Sequence, residues 1–304
     1  MNTMNKVYGK RVYTDKIARV TMQMLTWLLM LTLVLMAIGL YMKSRNILEE
    51  HSWWNLISKS AWNPLNGEFG FLTFIVSSLS VTAVALLLSF PVSLLMALFL
   101  TEKTRPWIQR MAFPVLDILS GIPSVVYGLW GTLVVVPWIA DKLGPHFVEY
   151  TSGYTWLAGS IVLAIMIVPL MVSLFVELFS TIPQDLRDAS LALGATEWQT
   201  MKHVVLRKSL PGIGAIVALA VSKAFGETLA VLMVCGNMVG LPHSLFDSVY
   251  PLPALIANNY GEMLSLPMYE SALMFAALLM FVIILVFNAA ARSILQNIEK
   301  SISL

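Results

Sequence analysis

Residues 156–179 read WLAGSIVLAIMIVPLMVSLFVELF and carry a single charged side chain, Glu177. A helix needs about 20 predominantly apolar residues, at about 1.5 Å of rise each, to cross the roughly 30 Å hydrocarbon core of a bilayer. This stretch is long enough and apolar enough to do so. It therefore predicts a membrane-spanning helix.

Five other stretches have the same character, and the composition of the whole chain agrees with a lipid environment. The chain is 58% apolar and 12% charged, whereas soluble domains are about 45–50% apolar and about 25% charged. The five stretches are residues 22–42, 71–100, 111–140, 210–239 and 271–291. Gly121, Pro123 and Gly128 interrupt the third span. We expect an all-α polytopic membrane protein of about six transmembrane helices, in a single membrane domain over residues 1–304.

The positive charges predict the orientation, because cytoplasmic loops of membrane proteins carry an excess of lysine and arginine. Most of the 19 basic residues lie in the N-terminal segment, in the loops between spans two and three and between spans four and five, and in the C-terminal tail. The opposite loops carry only Lys43, Arg45, Lys59 and Lys142. We therefore expect both termini to be cytoplasmic.

The outer segment between spans one and two contains Trp53, Trp54 and Trp62. Tryptophan favours the interface between membrane and water, where its amphipathic ring is partly wet. We expect an amphipathic helix on the outer surface, with a binding role for these tryptophans as the alternative.

The cytoplasmic loop at about 180–208 has the pattern of two short helices joined by a glycine. Thr181 and Pro183 suit the start of the first helix, where a hydroxyl group can cap and proline is tolerated. Gly194 suits its end because glycine adopts the left-handed conformation at little cost. Thr196 and Gln199 have capping-box spacing and start the second helix. An ordinary loop helix on the membrane surface and a docking site for a partner both fit this pattern.

Each helix of the loop is predicted to have a small or apolar face. These faces consist of Leu186, Ala189, Ser190 and Leu193 in the first helix, and of Trp198, Met201 and Val205 in the second.

Residues 188–206, DASLALGATEWQTMKHVVL, resemble the cytoplasmic loop of ABC importer permeases, whose pattern is Glu-Ala-Ala-x3-Gly-x9-Ile-x-Leu-Pro. In that family the loop forms the coupling helix, which sits in a groove of the ATPase subunit. The resemblance assigns coupling to Asp188, Ala189, Ser190, Leu193, Gly194 and Trp198. Asp188 and Ser190 replace the family's Glu and Ala but keep charge sign and small size, whereas Arg207 replaces the usual Pro.

Two opposite charges lie inside the fifth predicted span. Lys223 follows Leu210 by about 20 Å along a helix, at a depth where a lone lysine costs about 2.5–3.5 kcal/mol on insertion scales. Glu227 is one helical turn further on, so we expect an ion pair on one helix face. Such a pair is either structural or part of a polar pathway. The pathway is favoured because ionisable residues inside a membrane are usually functional.

Residues 222–237, SKAFGETLAVLMVCGN, resemble span five of PstC-type phosphate permeases, where Ser-Arg-Ala-x-Gly-Glu-Thr-x-Ala-Val is typical. Residues 121–130, GIPSVVYGLW, are similar to span three of that family. The resemblance places Lys223, Glu227, Thr228 and Ser124 on a substrate pathway. Lys223 lies where the family usually has Arg. The planar guanidinium of arginine is thus replaced by the compact ammonium charge of lysine. Lysine also binds phosphate in proteins.

The resemblance implies a permease subunit of an ATP-driven phosphate importer in the bacterial cytoplasmic (inner) membrane. Its partners would be a homologous PstA-like permease, two PstB-like cytoplasmic ATPases and a PstS-like extracytoplasmic phosphate-binding protein. ATP and Mg²⁺ would be bound by the ATPases, because this chain lacks the Gly-x4-Gly-Lys-Ser/Thr phosphate loop. We expect no catalytic residue, no cofactor and no metal site in this chain, and no nucleic-acid partner.

Two other functions remain open. The importer could carry a related oxyanion such as phosphonate or phosphite. A self-sufficient ion-coupled carrier could use Lys223 and Glu227 as a relay, but such carriers often have two similar halves with broken helices. Here the intramembrane charges are confined to one span, which favours the importer.

Overall fold

The computed structural model describes residues 2–261 and 266–302, with side chains described for 15–261 and 266–293. It is almost entirely helical. The α-helices are Asn2–Lys43, Arg45–Glu50, Trp53–Ser58, Leu72–Glu102, Pro106–Gly121, Ser124–Trp130, Val136–Trp138, Trp156–Ser180, Gln184–Ala192, Glu197–Thr200, Leu206–Phe225, Leu229–Val234, Leu252–Asn259 and Pro267–Ile302. Turns of π-helix at Gly131–Val135, Ile139–Leu143 and Met201–Val205 join some of these pieces without a break.

Within the described residues, six helices are long and apolar enough to cross a membrane, which confirms the predicted number. In chain order, spans 1 to 6 are Asp15–Lys43, Leu72–Glu102, Ser124–His146, Trp156–Ser180, Glu197–Phe225 and Pro267–Ser293.

Span 3 departs from the prediction of one stretch over residues 111–140. The chain instead divides between the helix Pro106–Gly121 and span 3, with Ile122 and Pro123 in extended conformations (ψ 129° and 142°). A residue before proline is pushed out of the helical region, and proline cannot donate a backbone hydrogen bond. The predicted interruption at Gly121 and Pro123 is therefore confirmed.

Gly128 is not an interruption, contrary to the prediction. It lies inside a helix, where an added Cβ would be 2.7 Å from the Met233 sulfur. A Cβ on Gly131 would be 2.6 Å from a Val162 methyl carbon and 2.9 Å from one of Val234. These glycines allow the short helix Leu229–Val234 to approach span 3 closely.

Span 5 also differs from the predicted stretch 210–239. It begins at Glu197, in the loop after span 4, and continues without interruption to Phe225. The apolar pattern located only its middle, because the first turns carry polar side chains such as Lys202 and Lys208. Arg207 lies within this continuous helix, so the chain does not turn where the family usually has proline. After Phe225 the helix breaks, and Leu229–Val234 forms a separate piece.

The outer segment contains the predicted helix, Trp53–Ser58, in which Trp53 and Trp54 are 57% and 74% exposed. Trp62 behaves differently. It lies on a two-strand hairpin, Trp62–Asn63 and Glu68–Phe69, and its ring meets four aromatic rings at centroid distances of 5.0–6.0 Å. Trp62 is half-buried and packs inward, so it differs in exposure from Trp53 and Trp54.

Two apolar clusters form the interior. The larger one lies among spans 2 to 5 and includes Ile167, Phe175 and Phe179. The smaller one joins the outer segment to span 6 and includes Phe71 and Phe275. Span 1 packs mainly along span 6 and leaves most of its apolar side chains exposed.

Candidate functional site: two broken spans and a cytoplasmic loop

The break in span 5 occurs at Gly226, Glu227 and Thr228, at the predicted pathway residues. The helix ends at Phe225. The Glu227 amide still bonds the Ala224 carbonyl, at 3.2 Å, but the helical repeat does not continue. The Thr228 hydroxyl donates to the Gly226 carbonyl at 3.3 Å. The break leaves some backbone N–H and C=O groups without helical partners. These bonds satisfy part of them, as the interior of a membrane requires.

The predicted ion pair between Lys223 and Glu227 is wrong. Among the described side chains, four ion pairs form, and this one is absent from them. The two residues are four apart, but Gly226 ends the helix between them, so they no longer share a helix face. Lys223 is exposed and Glu227 is half-buried. The two charges are therefore available to different partners.

Glu227 lines a narrow cavity of about 10 Å³, room for about one water molecule. Ser78 and Thr82 of span 2 and Leu163 of span 4 line the same cavity. Lys223 does not line it. The cavity lies where spans 2, 4 and 5 meet.

The break before span 3 is bridged by Tyr127, whose hydroxyl donates to the Leu119 carbonyl at 2.8 Å. Ser124 begins span 3 and is half-buried. The Thr132 hydroxyl donates to the Met233 carbonyl at 3.2 Å, so the helices that follow the two breaks are joined. Ser124 does not line the cavity of Glu227, and Thr228 lines a separate, largely apolar groove beside spans 1 and 6. Glu227 and Thr228 therefore line two different cavities, and Ser124 and Lys223 line neither of these two.

The loop between spans 4 and 5 has the predicted two-helix form. Gly194 follows the first helix with φ +85°, and Thr196 and Gln199 form both bonds of a capping box. Both predictions are confirmed. Thr181 does not cap the first helix: its hydroxyl donates back to the Leu178 carbonyl at the end of span 4. Pro183 stands just before the helix, which begins at Gln184.

The predicted coupling residues are mostly exposed. Leu186, Leu193 and Trp198 are 40%, 90% and 58% exposed, and we call these three the loop patch. Asp188, Ala189 and Gly194 are also exposed. Trp198 was predicted to share a face with Met201 and Val205, but those two are buried. The helix turns Trp198 away from them, so it belongs to the outer surface of the loop.

Ser190 is half-buried and joins the two limbs of the loop. Its hydroxyl lies 2.9 Å from the Thr200 hydroxyl. This explains why a hydroxyl fits where the related loops carry alanine: it has a partner across the loop.

A contact that the sequence did not reveal ties the loop to the membrane domain. Arg187 is buried and donates to Glu102, the last residue of span 2, through two nitrogens at 2.9 and 3.2 Å. The two residues are 85 positions apart. The sequence held one clue, an acidic residue in a loop otherwise rich in positive charge.

Comparison with known proteins agrees with this architecture. Residues 89–303 match the family described as "Binding-protein-dependent transport system inner membrane component". The chain belongs to this family. It is a multi-pass inner membrane protein and the permease subunit of an ABC importer, a class in which a separate subunit carries the ATPase and a binding protein delivers the substrate.

Several relatives are similar over most of the chain. The phosphate transport system permease protein PstC of Xylella fastidiosa (strain 9a5c) is 33% identical over 253 residues, 79% of this chain and 78% of that protein. PstC of Mesorhizobium japonicum is 32% identical over 300 residues, 94% of this chain and 91% of that protein. The probable ABC transporter permease protein YqgH of Bacillus subtilis (strain 168) is 40% identical over 203 residues, 66% of this chain and 64% of that protein.

Solved structures share the fold at low identity. A chain of the MetNI methionine ABC transporter, in an inward-facing conformation, aligns with a TM-score of 0.59 and 19% identity, over 78% of this chain and 99% of that one. A bacterial ABC transporter that imports alginate aligns with a TM-score of 0.57 and 17% identity, over 93% and 99%. These likenesses show that the chain shares its fold with chains of solved ABC transporters.

Proposed function

We propose that this permease translocates inorganic phosphate, with a PstA-like permease, two PstB-like ATPases that bind ATP and Mg²⁺, and a PstS-like binding protein. The support is the series of PstC relatives and the two PstC-like strings, residues 121–130 and 222–237. Both termini would be cytoplasmic, as the distribution of lysine and arginine predicts.

One observation carries the mechanism: a single helix connects the exposed loop with the exposed intramembrane lysine. Span 5 runs unbroken from Glu197 to Phe225. Lys223 therefore lies about 39 Å along this helix from the loop. A displacement of the loop patch by the ATPases would reach Lys223 through a rigid element rather than through a flexible linker. This is the coupling that alternating access requires.

Lys223 would offer the anion a transient positive site. It makes no ion pair with any described side chain, and a lysine without a partner inside a membrane is costly. In the assembled importer, its charge would be compensated by the second permease or by the passing anion. Weak binding suits transport, because the anion must leave on the other side. Specificity would then be set mainly by the binding protein.

Glu227 would have a different role from the one expected of an ion-pair partner. Glu227 lines the narrow cavity between spans 2, 4 and 5, and Thr228, the next residue of the break, lines the groove beside spans 1 and 6. A negative charge here would repel a bound anion from the closed half of the path. It would therefore help to keep the path closed until the spans move.

Two alternatives follow from the same site. A single positive side chain also suits phosphonate or phosphite, so the carried oxyanion could be one of these. An ion-coupled carrier is disfavoured because Lys223 and Glu227 do not contact each other and so do not form a relay.

The test combines co-purification with uptake. A tagged chain, expressed with the three partner proteins, is purified, and labelled phosphate uptake is measured in the same cells. We expect the ATPase to co-purify and uptake to stop when ATP is depleted. Uptake by this chain alone would support a carrier. Uptake of labelled phosphite or phosphonate, with no uptake of labelled phosphate, would move the assignment to that oxyanion.

A further inference from the structure

Arg187 is the one charged residue that is buried within the described part of the chain, at 8% exposure. It lies in the middle of the loop helix Gln184–Ala192, whose other charged residues are exposed. Burying a guanidinium is unfavourable unless its hydrogen bonds are satisfied. Its contacts therefore show what the loop is attached to.

The guanidinium bonds two different spans at once. Its Nε and Nη2 atoms donate to the two carboxylate oxygens of Glu102, at 3.2 and 2.9 Å. Nη2 also donates to the Phe179 carbonyl at 2.9 Å, and Nη1 donates to the Ile182 carbonyl. Phe179 is in the last turn of span 4, where helix carbonyls lack partners within the helix. Paired bonds of this kind to a carboxylate fix geometry as well as charge.

We propose that Arg187 is a positioning residue for energy coupling, which holds the loop against the cytoplasmic ends of spans 2 and 4. The proposal rests on the proposed role of the loop patch as the docking site for the ATPase. Span 5 is already continuous with the loop. With Arg187 in place, spans 2, 4 and 5 follow the loop as one body, and these three spans line the cavity of Glu227.

A neighbouring ion pair provides the matched control. Lys103, the next residue after Glu102, pairs with Glu197 at the start of span 5. Its side chains are 43% and 68% exposed, against 10% and 12% for Arg187 and Glu102. Exposed ion pairs contribute little to stability because water and salt screen their charges. Both pairs connect the end of span 2 to the loop after span 4, and burial is the clearest difference between them.

The experiment uses the full importer in proteoliposomes, with Arg187→Met and Lys103→Met compared with the unaltered chain. Phosphate taken up per ATP hydrolysed is measured, together with the amount of ATPase that co-purifies. We expect Arg187→Met to retain the ATPase and to hydrolyse ATP, while uptake per ATP falls about tenfold. Lys103→Met should stay within about twofold of the unaltered chain. Equal ratios in all three, or an equal fall in both variants, would overturn the proposal.

A milder variant covers the case in which Arg187→Met does not assemble. Glu102→Gln keeps the shape and one acceptor but removes the charge, so uptake per ATP should fall without loss of the complex. An unchanged ratio in Glu102→Gln would also count against the proposal.

A second readout does not depend on the substrate. Spin labels are placed at Gln184→Cys in the loop helix and Leu95→Cys in span 2, both exposed positions; Cys235 is fully buried. We expect a narrow distance distribution that ATP does not change, and a broadened one in Arg187→Met. A broad distribution in the unaltered chain would refute a rigid attachment. If that chain takes up no phosphate, the proposed substrate fails while this measurement still decides the role of Arg187.

Discussion

The two ends of span 5 differ in how their charges are satisfied. At the loop end, Thr196 completes a capping box, and Arg187 in the preceding loop helix has four hydrogen bonds. At the other end, Lys223 lies in the last turn of the helix and Glu227 in the break that follows, and the two do not pair. We infer a division of labour that rests on the proposed function: contacts within the chain hold the loop and leave its exposed patch free to bind the ATPase, whereas Lys223 keeps its charge for a partner or an anion.

The largest effect on stability is expected when Arg187 stays buried but loses its carboxylate partner. Glu102→Ala should lower the free energy of unfolding by about 3–5 kcal/mol, because an uncompensated buried charge remains. Lys103→Ala should cost about 0–1 kcal/mol, since that pair is exposed. Denaturation of the purified chain in detergent micelles measures both. Similar losses in the two variants would show that burial does not distinguish the pairs.

The close approach of the broken spans is tested at a glycine. Gly131→Ala should cost about 1–3 kcal/mol, because the new Cβ would lie 2.6 Å from a Val162 methyl carbon and neither neighbouring valine is flexible. Gly121→Ala is the control, since nothing lies within 4 Å of its added Cβ. Unfolding in the same micelles gives both values. A neutral Gly131→Ala would mean that the helix Leu229–Val234 does not pack as described.

A smaller effect is expected at the cap of the loop. Thr196→Ala removes the hydroxyl that accepts from the Gln199 amide at 3.2 Å, so it should cost about 1 kcal/mol. Hydrogen exchange of residues 197–200 should increase, with Thr181→Ala as a control that leaves this cap intact. Unchanged exchange would show that the loop is held by Arg187 alone.

Much of the fold follows from hydropathy, because six apolar stretches locate six spans. The ends of spans 3 and 5 were misplaced for different reasons. Pro123 divides the apolar stretch 111–140 into two helices, whereas span 5 continues through a polar segment that hydropathy does not register. Apolar composition indicates which residues suit contact with lipid. It does not locate the ends of a helix, which depend on where the backbone hydrogen bonds stop.

The candidate site was predicted less completely. The loop sequence correctly predicted the conformation of Gly194 and the capping box, because both depend on local structure. The pairing of Lys223 with Glu227 assumed an unbroken helix, and Gly226 ends it. The bond between Arg187 and Glu102 joins residues distant in sequence, so only the packing of spans 2 and 4 brings them together.

We propose that Lys223 provides the positive site on the phosphate path. Its direct test is labelled phosphate uptake by the full importer carrying Lys223→Met, with Lys208→Met, the same change on the same helix at the cytoplasmic end, as the matched control. Complex assembly is checked in both. We predict that Lys223→Met abolishes uptake with the complex intact, that Lys223→Arg retains it, and that Lys208→Met is near normal. Normal uptake in Lys223→Met would contradict the account and make Lys223 a structural charge.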